Sequence, residues 1–267
     1  MAIRLGGPLL LVGCGKMGGA LLEAWLDEGL DPALVAVLDP GPPEEVRALL
    51  ETRGVALNPA DAPSPAVVVV AVKPQLLDEV LPEIARRAGP ETLALSIVAG
   101  KPIAAFAGLP AVVRAMPNTP AAVRRGITVA VPSPAVTPQQ KSAADSLLRA
   151  AGAVEWIDDE SLIDAVTAVS GSGPAYVFLL AETLAAAGAA VGLPADLAEK
   201  LARATVSGSG ELLARSPEAA ATLRTNVTSR GGTTQAALDV LMAPDGLSPL
   251  LQRAVAAAAK RAKELAG

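Results

Sequence analysis

The sequence predicts an α/β protein, with a doubly wound parallel sheet in residues 1–160 and an all-helical part in residues 161–267. Three observations predict it. Six short apolar or β-branched runs alternate with helix-like segments in the first part. After about Ser161 the valine runs disappear and alanine and leucine dominate. Prolines then stand where helices begin, at Pro174, Pro194, Pro217 and Pro249. Apolar runs without alternation suit strands covered on both faces, and helices between them build successive βαβ units.

The runs fall at 9–12, 34–38, 67–72, 92–98, 111–114 and 127–131. In the helical part, proline is tolerated at a first helical position because its missing N–H would be unpaired there. Ser216 and Ser248 add candidate N-cap oxygens. The longest apolar stretch, 175–193, is broken by Glu182 and rich in alanine. It reads as a buried helix rather than a membrane span, which needs about 20 predominantly apolar residues. The start breaks at Gly6, Gly7 and Pro8 before any apolar run develops, so no leader is expected.

Composition excludes several chemistries. Of 267 residues, 51% are hydrophobic and 18% charged, as in a globular chain. Twenty-two basic against 27 acidic side chains leave a net charge of −5, which disfavours nucleic acid and anionic membranes as partners. There is no histidine, so imidazole catalysis, Ser-His-Asp triads and His-ligated zinc are excluded. Cys14 is the one cysteine, which removes internal disulfides and four-cysteine metal sites and suits a reducing cytoplasm. No metal site is expected. The one tyrosine, Tyr176, has Leu180 four residues on, so a Tyr-x-x-x-Lys pair is absent.

The first run leads into Gly13, Gly15 and Gly18, spaced G-x-G-x-x-G, and then an amphipathic helix. In that context the motif is a Rossmann-like dinucleotide fingerprint. Gly13 permits the turn, Gly15 lets backbone approach a pyrophosphate, and Gly18 lets helix pack on strand; Lys16 and Met17 lie between. Asp39 ends the second run, 21 residues past Gly18, where a carboxylate binds adenine-ribose hydroxyls. It disfavours a 2′-phosphate, and residues 40–43 supply no Arg, Ser or Thr to hold one. NADH is therefore expected to be accepted beside NADPH. Val72 ends the third run and Lys73 and Pro74 follow it, Ala99 follows the fourth, and the Arg114-Ala-Met-Pro-Asn-Thr-Pro120 segment ends the fifth, all at the carboxyl edge where ligands bind.

In the helical part, Thr225-Asn-Val-Thr-Ser-Arg-Gly-Gly-Thr-Thr234 interrupts the helical pattern. Two glycines and two threonines at a helix start can present successive N–H groups and hydroxyls to a small carboxylate. Read alone, the segment is first a capped helix start with nothing bound. Ser170-Gly-Ser-Gly-Pro174 precedes the long apolar helix, where its glycines allow close packing.

Together these motifs resemble the pyrroline-5-carboxylate reductase family, over nearly the whole chain. The Ala168-Val-Ser-Gly-Ser-Gly-Pro-Ala-Tyr176 and Val227-Thr-Ser-Arg-Gly-Gly-Thr-Thr234 segments are the specific ones. Arg230 stands where the family pattern has proline. The resemblance implies hydride transfer from NADPH or NADH to the C=N carbon of 1-pyrroline-5-carboxylate, giving L-proline. It implies a substrate carboxylate held by Ser229, Gly231, Gly232, Thr233 and Thr234, with the Thr234 hydroxyl next to the imine nitrogen as the catalytic group. It places the coenzyme against Asn58, Val72, Lys73, Pro74 and Ala99. It also implies helical-domain homodimers assembling into a homodecamer. Two alternatives stay open: a 3-hydroxyacid dehydrogenase of related architecture, whose acid-base lysine has no counterpart in 174–193, and a nucleotide-sensing module without catalysis.

Overall fold

The computed structural model describes residue 3, residues 5–61 and residues 63–266; Met1, Ala2 and Arg4, part of the start read above for a leader, lie outside the described residues. The strands are β1 (Leu9–Val12), β2 (Val35–Leu38), β3 (Ala56–Leu57), β4 (Val67–Val70), β5 (Leu93–Ser96), β6 (Ala111–Met116), β7 (Gly126–Pro132) and β8 (Gly152–Trp156). Helices α1 (Lys16–Asp27), α2 (Glu44–Arg53), α3 (Leu77–Arg87) and α4 (Pro138–Arg149) run between them. After β8 come α5 (Ile163–Val166), α6 (Gly173–Ala190), α7 (Ala195–Arg215), α8 (Ala220–Asn226), α9 (Thr233–Leu241) and α10 (Leu247–Ala266).

Among the described residues the strands form one sheet in the order β3-β2-β1-β4-β5-β6-β7-β8. Pairings from β3 through β6 are parallel, as the apolar runs predict. β7 departs from the parallel expectation by pairing antiparallel with β6. The nine residues between them hold only a 3-10 turn, Thr119–Val123, and a parallel return needs a crossover of a dozen or more.

β1, β4 and β5 are buried at every position. Alternate residues point to opposite faces. Leu9, Leu11, Val67 and Val69 pack with Leu21, Leu22 and Trp25 of α1. Leu10, Val12, Val68 and Val70 pack with Leu77 and Ile84 of α3 and with Phe106. Each such side chain contributes about 1.5–3 kcal/mol on burial. The Trp25 indole N–H donates to the Leu147 carbonyl at 2.8 Å, fastening α1 to α4.

The chain divides into two compact units, residues 1–171 with 259–267, and residues 172–258. Within the second, α6 and α7 pack closely: a Cβ on Gly188 would stand 3.2 Å from that of Ala198. The expectation of a buried helix is corrected here. α6 has no buried residue, and Val177, Phe178, Leu179 and Leu180 are exposed. By length and composition the stretch Glu160–Ala190 also passes for a membrane span. A single chain does not supply the surface that would cover it.

Two capping expectations are also corrected. Ser216 is the C-cap of α7, and its hydroxyl accepts the Glu218 N–H at 3.1 Å instead of opening a helix. α8 starts only at Ala220. α10 starts at Leu247, so Ser248 is already inside it and Pro249 falls in its first turn, where N–H groups are unpaired anyway.

Candidate active site

β1 ends in a turn that requires its glycines. Gly13 has φ +85°, a region L side chains avoid, and a Cβ there would meet the Ala71 carbonyl oxygen at 2.8 Å. A Cβ on Gly18 would sit 2.5 Å from the Gly13 carbonyl oxygen, so only glycine lets α1 approach the turn this closely. Gly15 differs: it is the N-cap of α1, and a Cβ there meets nothing within 4 Å. The backbone at Gly15 therefore faces open space. No side chain caps α1 and no acidic residue sits in its first turn. An uncapped helix start beside open backbone suits the pyrophosphate of a dinucleotide. Lys16 is exposed at the first helical position, whereas Met17 leans into the core.

Asp39 stands at the β2 end, as expected, with its carboxylate partly engaged. Its Oδ2 accepts the Cys14 N–H at 2.7 Å and its Oδ1 the Gly41 N–H at 2.8 Å. It thus ties the glycine turn to the turn after β2. Asn58, at φ +50°, brackets it: Asn58 Oδ1 accepts the Asp39 N–H at 2.9 Å, and Asn58 Nδ2 donates to the Asp39 carbonyl at 2.7 Å. Burial, with the nearby Asp39 charge second, pushes the Cys14 thiol up to about 12. It stays a protonated packing group.

Val72 lies against the turn, its Cγ1 2.9 Å from where a Gly13 Cβ would be. Lys73 is exposed and caps the 3-10 turn that Pro74 opens. Ala99 is exposed just past β5. The structure thus brings Gly13, Gly15, Gly18, Asp39, Val72, Lys73 and Ala99 to the carboxyl edge of β1, β2, β4 and β5.

The second unit holds the other candidates. Gly231 has φ +71°, Gly232 is the N-cap of α9, and Thr233 and Thr234 are its first residues. No side chain caps α9. The Gly232 N–H donates to the Ser229 carbonyl at 3.0 Å, closing a turn that leaves Ser229 and Thr233 exposed and Thr234 half-buried. Arg230 is exposed.

Sequence reasoning missed two features. Arg114, 5% exposed, pairs with Glu160 at 2.8 Å, and the same Glu160 oxygen accepts the Ile103 N–H. A lone cation inside an apolar run was the available signal. Thr167–Gly171 forms a π-helical turn in which the Ser170 hydroxyl is buried and unpartnered. Asn118 Nδ2 donates to the Ser170 carbonyl at 3.3 Å, while Asn118 Oδ1 accepts the Ile127 N–H.

A glycine turn opening an uncapped helix, at the carboxyl edge of a sheet ordered 3-2-1-4-5-6-7-8, defines a dinucleotide-binding class of protein. The comparisons narrow it. Residues 160–265 match the family model for pyrroline-5-carboxylate reductase dimerisation, and residues 9–100 that for NADP oxidoreductase, coenzyme F420-dependent. The Pseudomonas aeruginosa pyrroline-5-carboxylate reductase is 38% identical over 97% of this chain and 96% of its own length. The Synechocystis enzyme is 40% identical over 99% of both chains. The solved Coxiella burnetii pyrroline-5-carboxylate reductase superposes with a TM-score of 0.89, at 34% identity over 98% of this chain and 99% of that one. A Plasmodium falciparum pyrroline carboxylate reductase structure, 26% identical with a TM-score of 0.81 over 99% and 100% of the two chains, holds NADP.

This chain belongs to the pyrroline-5-carboxylate reductase family. It is an NAD(P)H-dependent oxidoreductase acting on a small molecule as a homo-oligomer. The hydroxyacid and sensing alternatives give way to that membership.

Proposed function

We propose that the glycine turn and the β4 and β5 ends hold the coenzyme, and that the Ser229–Thr234 loop holds 1-pyrroline-5-carboxylate by its carboxylate. The chain's activity is reduction of that imine to L-proline, the last step of proline biosynthesis. A bound reduced nicotinamide supplies the hydride. First-turn N–H groups of α1 receive the pyrophosphate, and Pro74 and Ala99 offer short side chains against which a flat ring rests. The uncapped N-terminus of α9 receives the carboxylate. The Thr234 hydroxyl then lies against the imine nitrogen and orients it, and for an imine that arrives neutral it passes on a proton taken up from solvent. No stronger acid is required, because a protonated imine arrives carrying its proton and most of the barrier is met by positioning. That agrees with a chain without histidine.

The supporting observation is the α9 start, where a left-handed Gly231 and an uncapped Gly232 precede two hydroxyl residues. A division of labour near residue 160, where the dimerisation match begins, decamer assembly and a cytoplasmic location complete the reading. Coenzyme oxidation with 1-pyrroline-5-carboxylate tests it. Thr234→Ala is expected to lower turnover roughly 10- to 100-fold, toward the range of one lost acid-base group, with coenzyme affinity unchanged and Thr234→Ser largely active. Unchanged turnover removes Thr234 from the chemistry. Turnover of a 3-hydroxyacid in place of the imine overturns the whole assignment.

A further inference from the structure

The strongest unexplained feature is the turn after β2. One family structure holds NADP, so membership does not decide how this chain treats the 2′-phosphate that distinguishes the two coenzymes. We propose that this turn makes the enzyme selective for NADH, because it accepts a ribose hydroxyl yet meets a 2′-phosphate with acidic side chains and, from 39 to 43, with no free backbone donor. The inference rests on the coenzyme placement above, since in a doubly wound sheet the β2 end meets the adenine ribose.

The segment from Asp39 to Glu45 reads Asp-Pro-Gly-Pro-Pro-Glu-Glu. Pro40, Pro42 and Pro43 have no N–H to donate. The Gly41 N–H is given to Asp39 Oδ1, and the Asp39 N–H to Asn58 Oδ1. From 39 to 43 each backbone donor is thus missing or engaged. The first turn of α2, whose N–H groups would otherwise attract an anion, carries Glu44 and Glu45. Asp39, five residues earlier in the chain, adds a third carboxylate to the segment that leads into α2. Of the cations on α2, Arg53 is paired with Asp27, and Arg47 stands a turn beyond the helix start.

A hydroxyl meets a different surface. A carboxylate has about four acceptor positions, and Asp39 has used one on each oxygen. The remainder can accept the 2′-OH of NADH, while a phosphate at the same place brings only like charge. Because Asp39 also holds the glycine turn through the Cys14 N–H, its removal would weaken both coenzymes and would not isolate discrimination. The informative variant changes exposed neighbours instead: Pro40→Arg with Glu44→Gln and Glu45→Gln.

The test is equilibrium titration of the intact oligomer with NADH and with NADPH, followed by coenzyme fluorescence, together with competition by 5′-AMP and adenosine 2′,5′-bisphosphate. Wild type is expected to bind NADH at least tenfold more tightly than NADPH, and 5′-AMP is expected to compete better than the bisphosphate. The triple variant is expected to shift that ratio at least tenfold toward NADPH. Wild-type affinities within twofold of each other, or a ratio unmoved in the variant, overturn the selectivity while leaving the nucleotide site in place. Failure of both coenzymes to bind overturns the placement itself, and the selectivity with it.

Discussion

In residues 1–171 and 259–267, three strands are buried along their whole lengths and Trp25, Phe106 and Leu147 are enclosed by their own chain. In residues 172–258 only Ala198 and Ala202 among the described residues are buried, while Phe178, Leu212 and Val240 are 67%, 68% and 71% exposed. Both units are rich in apolar side chains, so composition does not separate them. What separates them is where the covering surface comes from. The sheet unit covers itself with helices on both faces. The helical unit leaves its apolar surfaces exposed in the single chain, and the dimerisation match over 160–265 makes a second copy their expected cover. A helix apolar all round reads as a core helix from sequence, yet α6 has no buried residue in the single chain.

The contrast is sharpest in two substitutions. Trp25→Ala empties a fully enclosed site and orphans the Leu147 carbonyl, so it is expected to destabilise the sheet unit by about 3–5 kcal/mol. Denaturant melts should find that loss independent of protein concentration. Phe178→Asp touches no enclosed site of the single chain. Its expected effect is on association, with the dissociation constant raised at least about 100-fold, or roughly 3 kcal/mol, measured by sedimentation or light scattering. If the Asp variant keeps the oligomer intact, α6 is not the covered surface and the comparison between units breaks.

Much of the sheet unit was legible because its signals are local. Runs at 9–12 and 67–72 become β1 and β4 because unbroken valine and leucine need two covered faces, and Gly13 and Gly18 are forced by contacts under 3 Å. β3 escaped notice as a two-residue strand, and β8 as a short edge with one buried position, Val154. The reversal of β7 was written only in the shortness of the 117–125 connection. At the candidate site, spacing located Asp39 and the family resemblance pointed to Asn58, but neither gave their mutual bonds or the grip on Cys14, because side-chain direction depends on loop closure across 19 and 25 residues. The helical unit was legible as helices, and Thr233–Thr234 as a helix start. Its surface was not, since periodicity cannot tell cover by the same chain from cover by another copy.

A smaller effect separates the units by pH. Cys14 is enclosed in the sheet unit, with its thiol pushed up to about 12 from an ordinary value of 9.0. Between those values the unfolded chain loses the thiol proton and the folded chain keeps it. The unfolded state then binds fewer protons, so stability falls as pH rises, by about 1.4 kcal/mol per unit across that window. Chemical denaturation at pH 9 to 11 should show the slope in wild type and lose it in Cys14→Ala. Alkylation of folded protein at pH 8 should be slow, and rapid labelling without unfolding would mean the turn is open.

The smallest expected effect lies on the helical unit's polar side. Lys200 and Asp196 approach to 4.0 Å on α7 with both side chains 78% exposed. An exposed pair gains little because water screens the attraction and holding two long side chains costs rotamer freedom. Lys200→Ala is therefore expected to change stability by less than about 0.5 kcal/mol and to leave the oligomer unaltered, checked by melting at two protein concentrations. A loss above 1 kcal/mol that grows on dilution would place α7's polar side inside an interface too, and the unit's covered surface would then extend well beyond its apolar residues.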